Sequence, residues 1–351
     1  MTSEQRVIIG NAMDILKTLP DGSVDCVMTS PPYYGLRSYG EDTAVTWQTQ
    51  ECEHEWTNLG EIPITAVSDK NTLTSTCEGW KEKVAGMCSK GSLCGKCGAW
   101  HGCLGMEPDA DTYISHLCDI FDEVKRVLKP TGTCFVNIGD SYGGTGNTGE
   151  TDVDPKNPQG SSTAQKAKKN HRSKSLILVP QRFAIEMSER GWYVRNTIIW
   201  HRPAAMPASV KDRFTVDYEY VFFFTKNRDY YFNQILEPVK DKSGKSSGTR
   251  TNPEGRNKRC VWSINQSQSF LEHPAMYPIE LVETPIKCGC PPNGTVLDPF
   301  CGSGTTLEYC RRNDINAIGI EINPEYGKMA KERCLSHYPQ LETLCNERTV
   351  T

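Results

Sequence analysis

The 351 residues contain no uninterrupted apolar run of about 18, the length that a membrane-spanning helix needs. The first residues, Met1 to Ala12, lack the charged-then-apolar leader and cleavage site of a secreted precursor. These two absences predict a cytoplasmic protein with no membrane partner. They also remove the oxidising setting in which disulfide frameworks persist. No Pro-Cys dipeptide occurs; Cys290-Pro291 has the reverse order. Neither charge sign dominates, since 39 Lys and Arg face 43 Asp and Glu for a formal net charge of -4. With 37% hydrophobic and 23% charged residues, the composition is globular and excludes disordered and collagen-like chains. Cysteine, by contrast, is plentiful at 16 residues, and clustered cysteine in a reducing compartment points to metal.

The charge is unevenly distributed. Pro155 to Ile185 holds no acid but includes Lys166, Lys168, Lys169 and Arg172. Lys240 to Arg259 carries seven Lys and Arg against Asp241 and Glu254. Such stretches suit a phosphate backbone, although a solvated loop has the same composition. Short apolar runs read as buried strands at Val7 to Ile9, Val24 to Met28, Cys134 to Ile138, Asn196 to Trp200, Tyr220 to Phe224, Val296-Leu297 and Ala317 to Ile320. Helical patterns cover Thr112 to Leu128, Leu176 to Arg190, Tyr277 to Ile286 and Pro324 to His337. Alternating strands and helices predict a mostly parallel α/β sheet covered on both faces. Three segments interrupt that rhythm: 41–104, 143–175 and 240–259. They read as insertions into one core made of 1–40, 105–142, 176–239 and 260–351.

Two strand ends carry the chemistry. Val296-Leu297 runs into Asp298-Pro299-Phe300-Cys301-Gly302-Ser303-Gly304-Thr305-Thr306, a Gly-rich turn that opens a helix. Glycines there let a ligand approach the backbone, and a helix start presents free N–H groups. No Lys follows the second Gly, so this is not a phosphate-binding P-loop. The next strand ends in Glu321, an acid placed to accept hydrogen bonds from ribose hydroxyls. The other strand end is Ser30-Pro31-Pro32-Tyr33. Two prolines remove two N–H donors and stiffen the backbone. The Ser30 hydroxyl and Pro31 carbonyl remain as acceptors, with Tyr33 as a flat ring. That set suits an exocyclic amine that donates two hydrogens while its base stacks.

Together these motifs resemble the S-adenosylmethionine-dependent DNA amino-methyltransferases. Ser30 to Tyr33 is similar to the catalytic tetrapeptide of that family, and Asp298 to Thr306 to its cofactor loop. The tetrapeptide precedes the loop, as in the permuted β-type arrangement. Gly10-Asn11-Ala12 resembles the segment near the adenine ring, although an acid is commoner at Asn11. His273-Pro274 resembles the segment near the methionine end, and Glu321 the ribose-binding acid. The resemblance implies a Rossmann-like methyltransferase with a mostly parallel seven-stranded sheet. It implies methylation of a flipped base in double-stranded DNA, and a cognate restriction endonuclease as a candidate partner. Ser at the first tetrapeptide position leans towards N4 of cytosine, with N6 of adenine as the alternative. An RNA or protein methyltransferase and a non-catalytic DNA-binding relic are the other readings. The missing Pro-Cys nucleophile speaks against methylation at cytosine C5.

Segment 41–104 has too few regularly spaced apolar residues for a core of its own. Cys94-Gly95-Lys96-Cys97-Gly98 reads as a metal knuckle, and Cys52 with His54 could complete a Cys₃His zinc site. Cys77, Cys88 and Cys103 are alternative ligands. Cys26, Cys118, Cys134 and Cys310 lie in apolar patterns and read as small core residues.

Overall fold

The computed structural model describes residues 3–35, 43–47, 51–63, 87–89, 91–143, 172, 174–208, 210–238, 255–266 and 277–335. In chain order the elements begin β1 (Gln5–Ile9), α1 (Ala12–Thr18), β2 (Val24–Thr29), β3 (Val45–Trp47), β4 (Trp56–Asn58), β5 (Glu61–Pro63) and β6 (Met87–Ser89). Next come β7 (Ser92–Cys94), β8 (Trp100–Gly102), α2 (Ala110–Val127), β9 (Leu128–Ile138), α3 (Val179–Glu189), β10 (Tyr193–His201) and β11 (Tyr218–Thr225). The last are β12 (Leu236–Glu237), β13 (Arg256–Asn257), β14 (Val261–Ser263), α4 (Ile279–Gly289), β15 (Thr295–Asp298), α5 (Thr305–Arg312), β16 (Asn316–Glu321) and α6 (Pro324–Leu335).

The main sheet has the order β1-β16-β15-β2-β9-β11-β10-β14. It holds eight strands where seven were expected. The added strand, β14, is three residues long, too short for its sequence to show a period. It pairs parallel with β10, as Ile199↔Val261 and Trp200↔Trp262. The seven expected strands are all present. The run from β1 through β9 is parallel, and β10 and β11 are antiparallel.

The centre of the sheet fixes where chemistry can occur. All six residues of β2 are buried, as a strand covered on both faces requires. Asp25 within it is satisfied by the Lys129 ammonium, 2.8 Å from both carboxylate oxygens, and by the Thr295 N–H at 2.9 Å. From β15 the chain crosses through α5 to β16 on one side, whereas from β2 it returns as β9 on the other. The adjacent carboxyl ends of β2 and β15 therefore form a topological switch point, where open α/β sheets bind their ligands. Asn137 donates to the Tyr220 carbonyl at 3.1 Å and Asn227 to the Pro130 carbonyl at 2.8 Å, so β11 runs antiparallel to β9. The loop 202–217, joining β10 to β11, thus leaves the sheet at the same edge as Ser30 and Asp298.

The chain divides into two compact units. The first comprises Met1–Ser30, Val124–Asn137 and Gly191–Thr351 and contains the sheet. Its core includes Cys26, Met28, Phe135, Trp200, Phe223, Val296, Leu307 and Cys310, with Phe135 and Phe223 stacked 4.4 Å apart. The second comprises Pro31–Glu123 and Ile138–Arg190. It holds a four-stranded antiparallel sheet, β3-β8-β7-β4, with a buried cluster of Trp100, Cys103 and Met106. The expected core cysteines Cys26, Cys118, Cys134 and Cys310 are buried. In the second unit Asp140 accepts from the Leu178 and Val179 N–H groups at 3.2 and 3.1 Å, capping the start of α3.

Candidate functional site

In the first unit the two strand ends are tied together directly. The Thr29 hydroxyl, at the end of β2, donates to Asp298 Oδ1 at the end of β15 at 2.6 Å. Asp298 also accepts from the Phe300 N–H at 3.1 Å, the Thr306 hydroxyl at 2.7 Å and the Tyr277 hydroxyl at 2.9 Å. The Tyr277 and Thr306 hydroxyl oxygens also lie next to each other, so either proton could bridge them instead of reaching the carboxylate. Burial pushes the Asp298 carboxyl above its usual range, and the Thr29, Thr306 and Tyr277 hydroxyls and Phe300 N–H oppose that shift. The carboxylate is thus occupied by protein donors and sets the shape of the turn that follows.

That turn is built for close approach. Gly304 has φ +88°, and a Cβ there would lie 2.8 Å from the Ala330 Cβ. It occupies the N-cap position of α5 with no side-chain cap, so the first-turn N–H groups are left to a ligand or water. Arg333 braces the turn from α6, donating to the Ser303 carbonyl at 3.2 Å and the Thr305 hydroxyl at 3.3 Å, and pairs with Glu308. Glu321, buried at the end of β16, accepts from Gly302 N–H and Asn323 N–H, each at 2.9 Å and each on a different oxygen. Burial raises its pKa. A carboxylate has about four lone-pair sites, so it retains capacity for further donors. Asn11 follows β1 at the same sheet edge. Its side chain caps α1, accepting from Met13 N–H at 2.8 Å and Asp14 N–H at 3.4 Å.

The tetrapeptide crosses from the first unit into the second at the Ser30–Pro31 bond. Within the second unit, the Tyr113 hydroxyl on α2 donates to the Pro32 carbonyl at 2.7 Å. The Tyr33 ring lies against Gly139, where a Cβ would be 2.6 Å from Tyr33 Cε2. The Ser141 hydroxyl donates to the Tyr34 carbonyl at 3.2 Å. The segment is held rigidly by groups from distant parts of the sequence.

Thr29, Tyr113, Tyr277 and Arg333 carry no mark of their role in the sequence. Tyr113 and Tyr277 fit apolar helix patterns, and no local spacing identifies a hydroxyl that bonds far along the chain. His273, Pro274, Lys166, Lys168 and Lys169 lie outside the described residues. Arg172 is described and exposed.

A second cluster stands in the four-stranded sheet. The ligand atoms of Cys52, His54, Cys94 and Cys97 all lie within 4.8 Å of one another. Cys52 Sγ is 4.0 Å from Cys94 Sγ, and Cys97 Sγ is 3.5 Å from His54 Nδ1.

The chain is similar to known DNA methyltransferases. The family model of the DNA methylases of N6/N4 type matches residues 24–332. Type II methyltransferase M.Cfr9I of Citrobacter freundii is 34% identical over 326 residues, 92% of this chain and 85% of the relative. Type II methyltransferase M.SmaI of Serratia marcescens is 33% identical over 332 residues, 94% and 90% respectively. Among solved structures, the cytosine-N4-specific PvuII DNA methyltransferase has a TM-score of 0.57 at 18% identity, covering 95% of this chain and 87% of that one. A Thermus thermophilus DNA modification methylase complexed with S-adenosyl-L-methionine has a TM-score of 0.51 at 21% identity, covering 96% and 95%. At such identities the structural likeness is one of fold, while the sequence matches establish kinship. The chain belongs to the DNA methylase family, the N6/N4 class of DNA methyltransferases.

Proposed function

We propose that this methyltransferase is of the permuted β-type and transfers a methyl group from S-adenosylmethionine to the N4 amine of cytosine at a specific site in duplex DNA. One observation carries the reading: the Thr29–Asp298 bond joins the strand end bearing Ser30 to the strand end bearing the Gly-rich turn, at the switch point of the sheet. An amine acceptor and a cofactor cradle then lie side by side.

The residues present fit the cofactor. Gly302 and Gly304 shape the turn through their positive φ, the start of α5 offers N–H groups, and Glu321 has lone pairs to spare for ribose hydroxyls. Pro299, Phe300, Ser303 and Thr305 complete the cradle, with Asn11 on the adenine side. Bound there, the cofactor supplies an electrophilic sulfonium methyl.

The target base must leave the helical stack to reach it. The Ser30 hydroxyl and Pro31 carbonyl accept the two amine hydrogens, drawing the nitrogen lone pair out of conjugation as positive charge develops. Pro32 lends its carbonyl to Tyr113 and so stiffens the segment. Tyr33 stacks on the flipped ring. The nitrogen releases its surplus proton to solvent after transfer, and no covalent adduct with the protein forms.

DNA approaches the same edge. Loop 202–217 carries Phe214, 94% exposed, beside Lys211 and Arg213. Arg172, with Lys166, Lys168 and Lys169, supplies phosphate contacts. A restriction endonuclease reading the same site is the natural partner. The test is nucleoside analysis of duplex DNA methylated by the purified protein. N4-methylcytosine supports the proposal. N6-methyladenine alone, or methylation of RNA but not DNA, overturns it.

A further inference from the structure

We infer that Cys52, His54, Cys94 and Cys97 bind one zinc ion, and that this ion holds the catalytic tetrapeptide in position through α2. The first step rests on geometry. A tetrahedral ion with Zn–S of about 2.3 Å and Zn–N of about 2.0 Å separates its ligand atoms by roughly 3.5 to 3.8 Å. The separations here are 4.0 Å for Cys52 Sγ to Cys94 Sγ and 3.5 Å for Cys97 Sγ to His54 Nδ1. All four ligand atoms fall within 4.8 Å of one another. A disulfide between Cys52 and Cys94 would need about 2.05 Å and would give His54 no role.

The backbone is shaped for the same purpose. Gly98 N–H donates to the Cys94 carbonyl at 3.0 Å, and Cys94 N–H to the Ala99 carbonyl at 2.8 Å, folding Cys94 and Cys97 into a tight knuckle. Cys52 and His54 arrive just before β4, which pairs with β7 through Trp56↔Cys94. The two halves of the site sit at the adjacent ends of neighbouring strands, the start of β4 and the end of β7, so the ion closes the sheet beside β4. Three sulfurs and one imidazole favour zinc over the harder divalent ions. Among the described residues the buried cluster of this sheet is Trp100, Cys103 and Met106, little apolar core to replace a metal.

The second step depends on the catalytic reading of Ser30 to Tyr33. Trp47 of β3 and Trp100 of β8 both stack on His116 of α2, with centroids 4.4 and 5.7 Å apart. His116 Nδ1 lies 3.2 Å from Glu107 Oε1. Glu107 Oε2 accepts from Gly105 N–H at 2.7 Å, and the Gly105 carbonyl accepts from Gly35 N–H at 2.8 Å. Less than one turn before His116, Tyr113 donates to the Pro32 carbonyl. The metal-closed sheet therefore bears on α2 and on the backbone either side of Tyr33. Tyr113 and His116 are positioning residues in this scheme.

The test uses the full chain purified without chelator. Elemental analysis should find one equivalent of zinc. A mercurial should release it with titration of three thiols, and Cys94→Ser plus Cys97→Ser should abolish it. Less than half an equivalent in fully reduced protein, or full zinc in the double variant, overturns the site. If the double variant does not fold, the mercurial titration of the native protein decides. For positioning, stripping the zinc should lower kcat on the order of 10²-fold while the dissociation constant for S-adenosylmethionine stays within about twofold. Tyr113→Phe should show the same split with zinc retained. Unchanged kcat after stripping overturns the positioning role. A failure of the methylation reading would appear separately, as zinc-replete protein that binds the cofactor yet makes no methylated nucleoside.

Discussion

Two groups of cysteines, one in each unit, meet opposite fates. In the sheet unit, Cys26, Cys301 and Cys310 are buried, and burial drives their thiols well above the usual range. There they behave as small apolar groups. In the second unit, Cys52 and Cys97 are half-exposed and converge with Cys94 and His54. The lesson is that cysteine chemistry follows from what surrounds the sulfur. A thiol among aliphatic side chains is held protonated, whereas thiols facing one another on a small sheet invite a shared cation. The acids divide in a similar way. Asp298 accepts from four protein donors, whereas Glu321 accepts one backbone N–H on each oxygen.

These contrasts can be broken experimentally. The largest effect on stability is expected for Asp298→Ala, which removes the acceptor shared by the Thr29, Thr306 and Tyr277 hydroxyls and the Phe300 N–H. An unsatisfied buried group costs about 1–3 kcal/mol, so a loss of about 3 kcal/mol should appear in urea unfolding. A midpoint equal to that of the parent would mean that the acid serves a ligand and not the fold. Ser30→Ala should leave cofactor affinity alone while lowering single-turnover methylation on the order of 10²-fold. An unaltered rate would remove Ser30 from the reaction. Neutralising Lys166, Lys168, Lys169 and Arg172 together should flatten the dependence of log K on log salt, by about 0.9 for each DNA phosphate that the protein ceases to neutralise. A slope identical to that of the parent would place this stretch away from the DNA backbone. The smallest change is Cys310→Ala, which should cost about 1 kcal/mol and leave the zinc content untouched. Zinc lost on that substitution would dissolve the distinction between the two groups of cysteines.

Much of this was legible in the residues. The seven long strands announced themselves because buried strands need continuous apolar runs. The four candidate ligands stood out because Cys94 and Cys97 are separated by the spacing that a knuckle needs. The strands of 41–104 were invisible, since β3, β4, β7 and β8 have three residues each and no period can appear over that length. The hydroxyls around Asp298 were equally hidden. Tyr277 lies 21 positions away and Thr29 lies 269 away, and only the folded sheet brings them to one carboxylate.

That separation has a consequence during biosynthesis. Ribosomes add about 5–20 residues per second, so the Asp298 side of the junction emerges roughly 15 to 50 s after Thr29. For that interval the Thr29 end of β2 lacks its Asp298 partner, although Tyr113 and Ser141, which emerge earlier, can already hold the segment that follows. Truncated translation products that stop short of β15 therefore cannot assemble the cofactor side, and they modify no DNA. The bond between the two strand ends thus forms late in synthesis, once β15 has emerged.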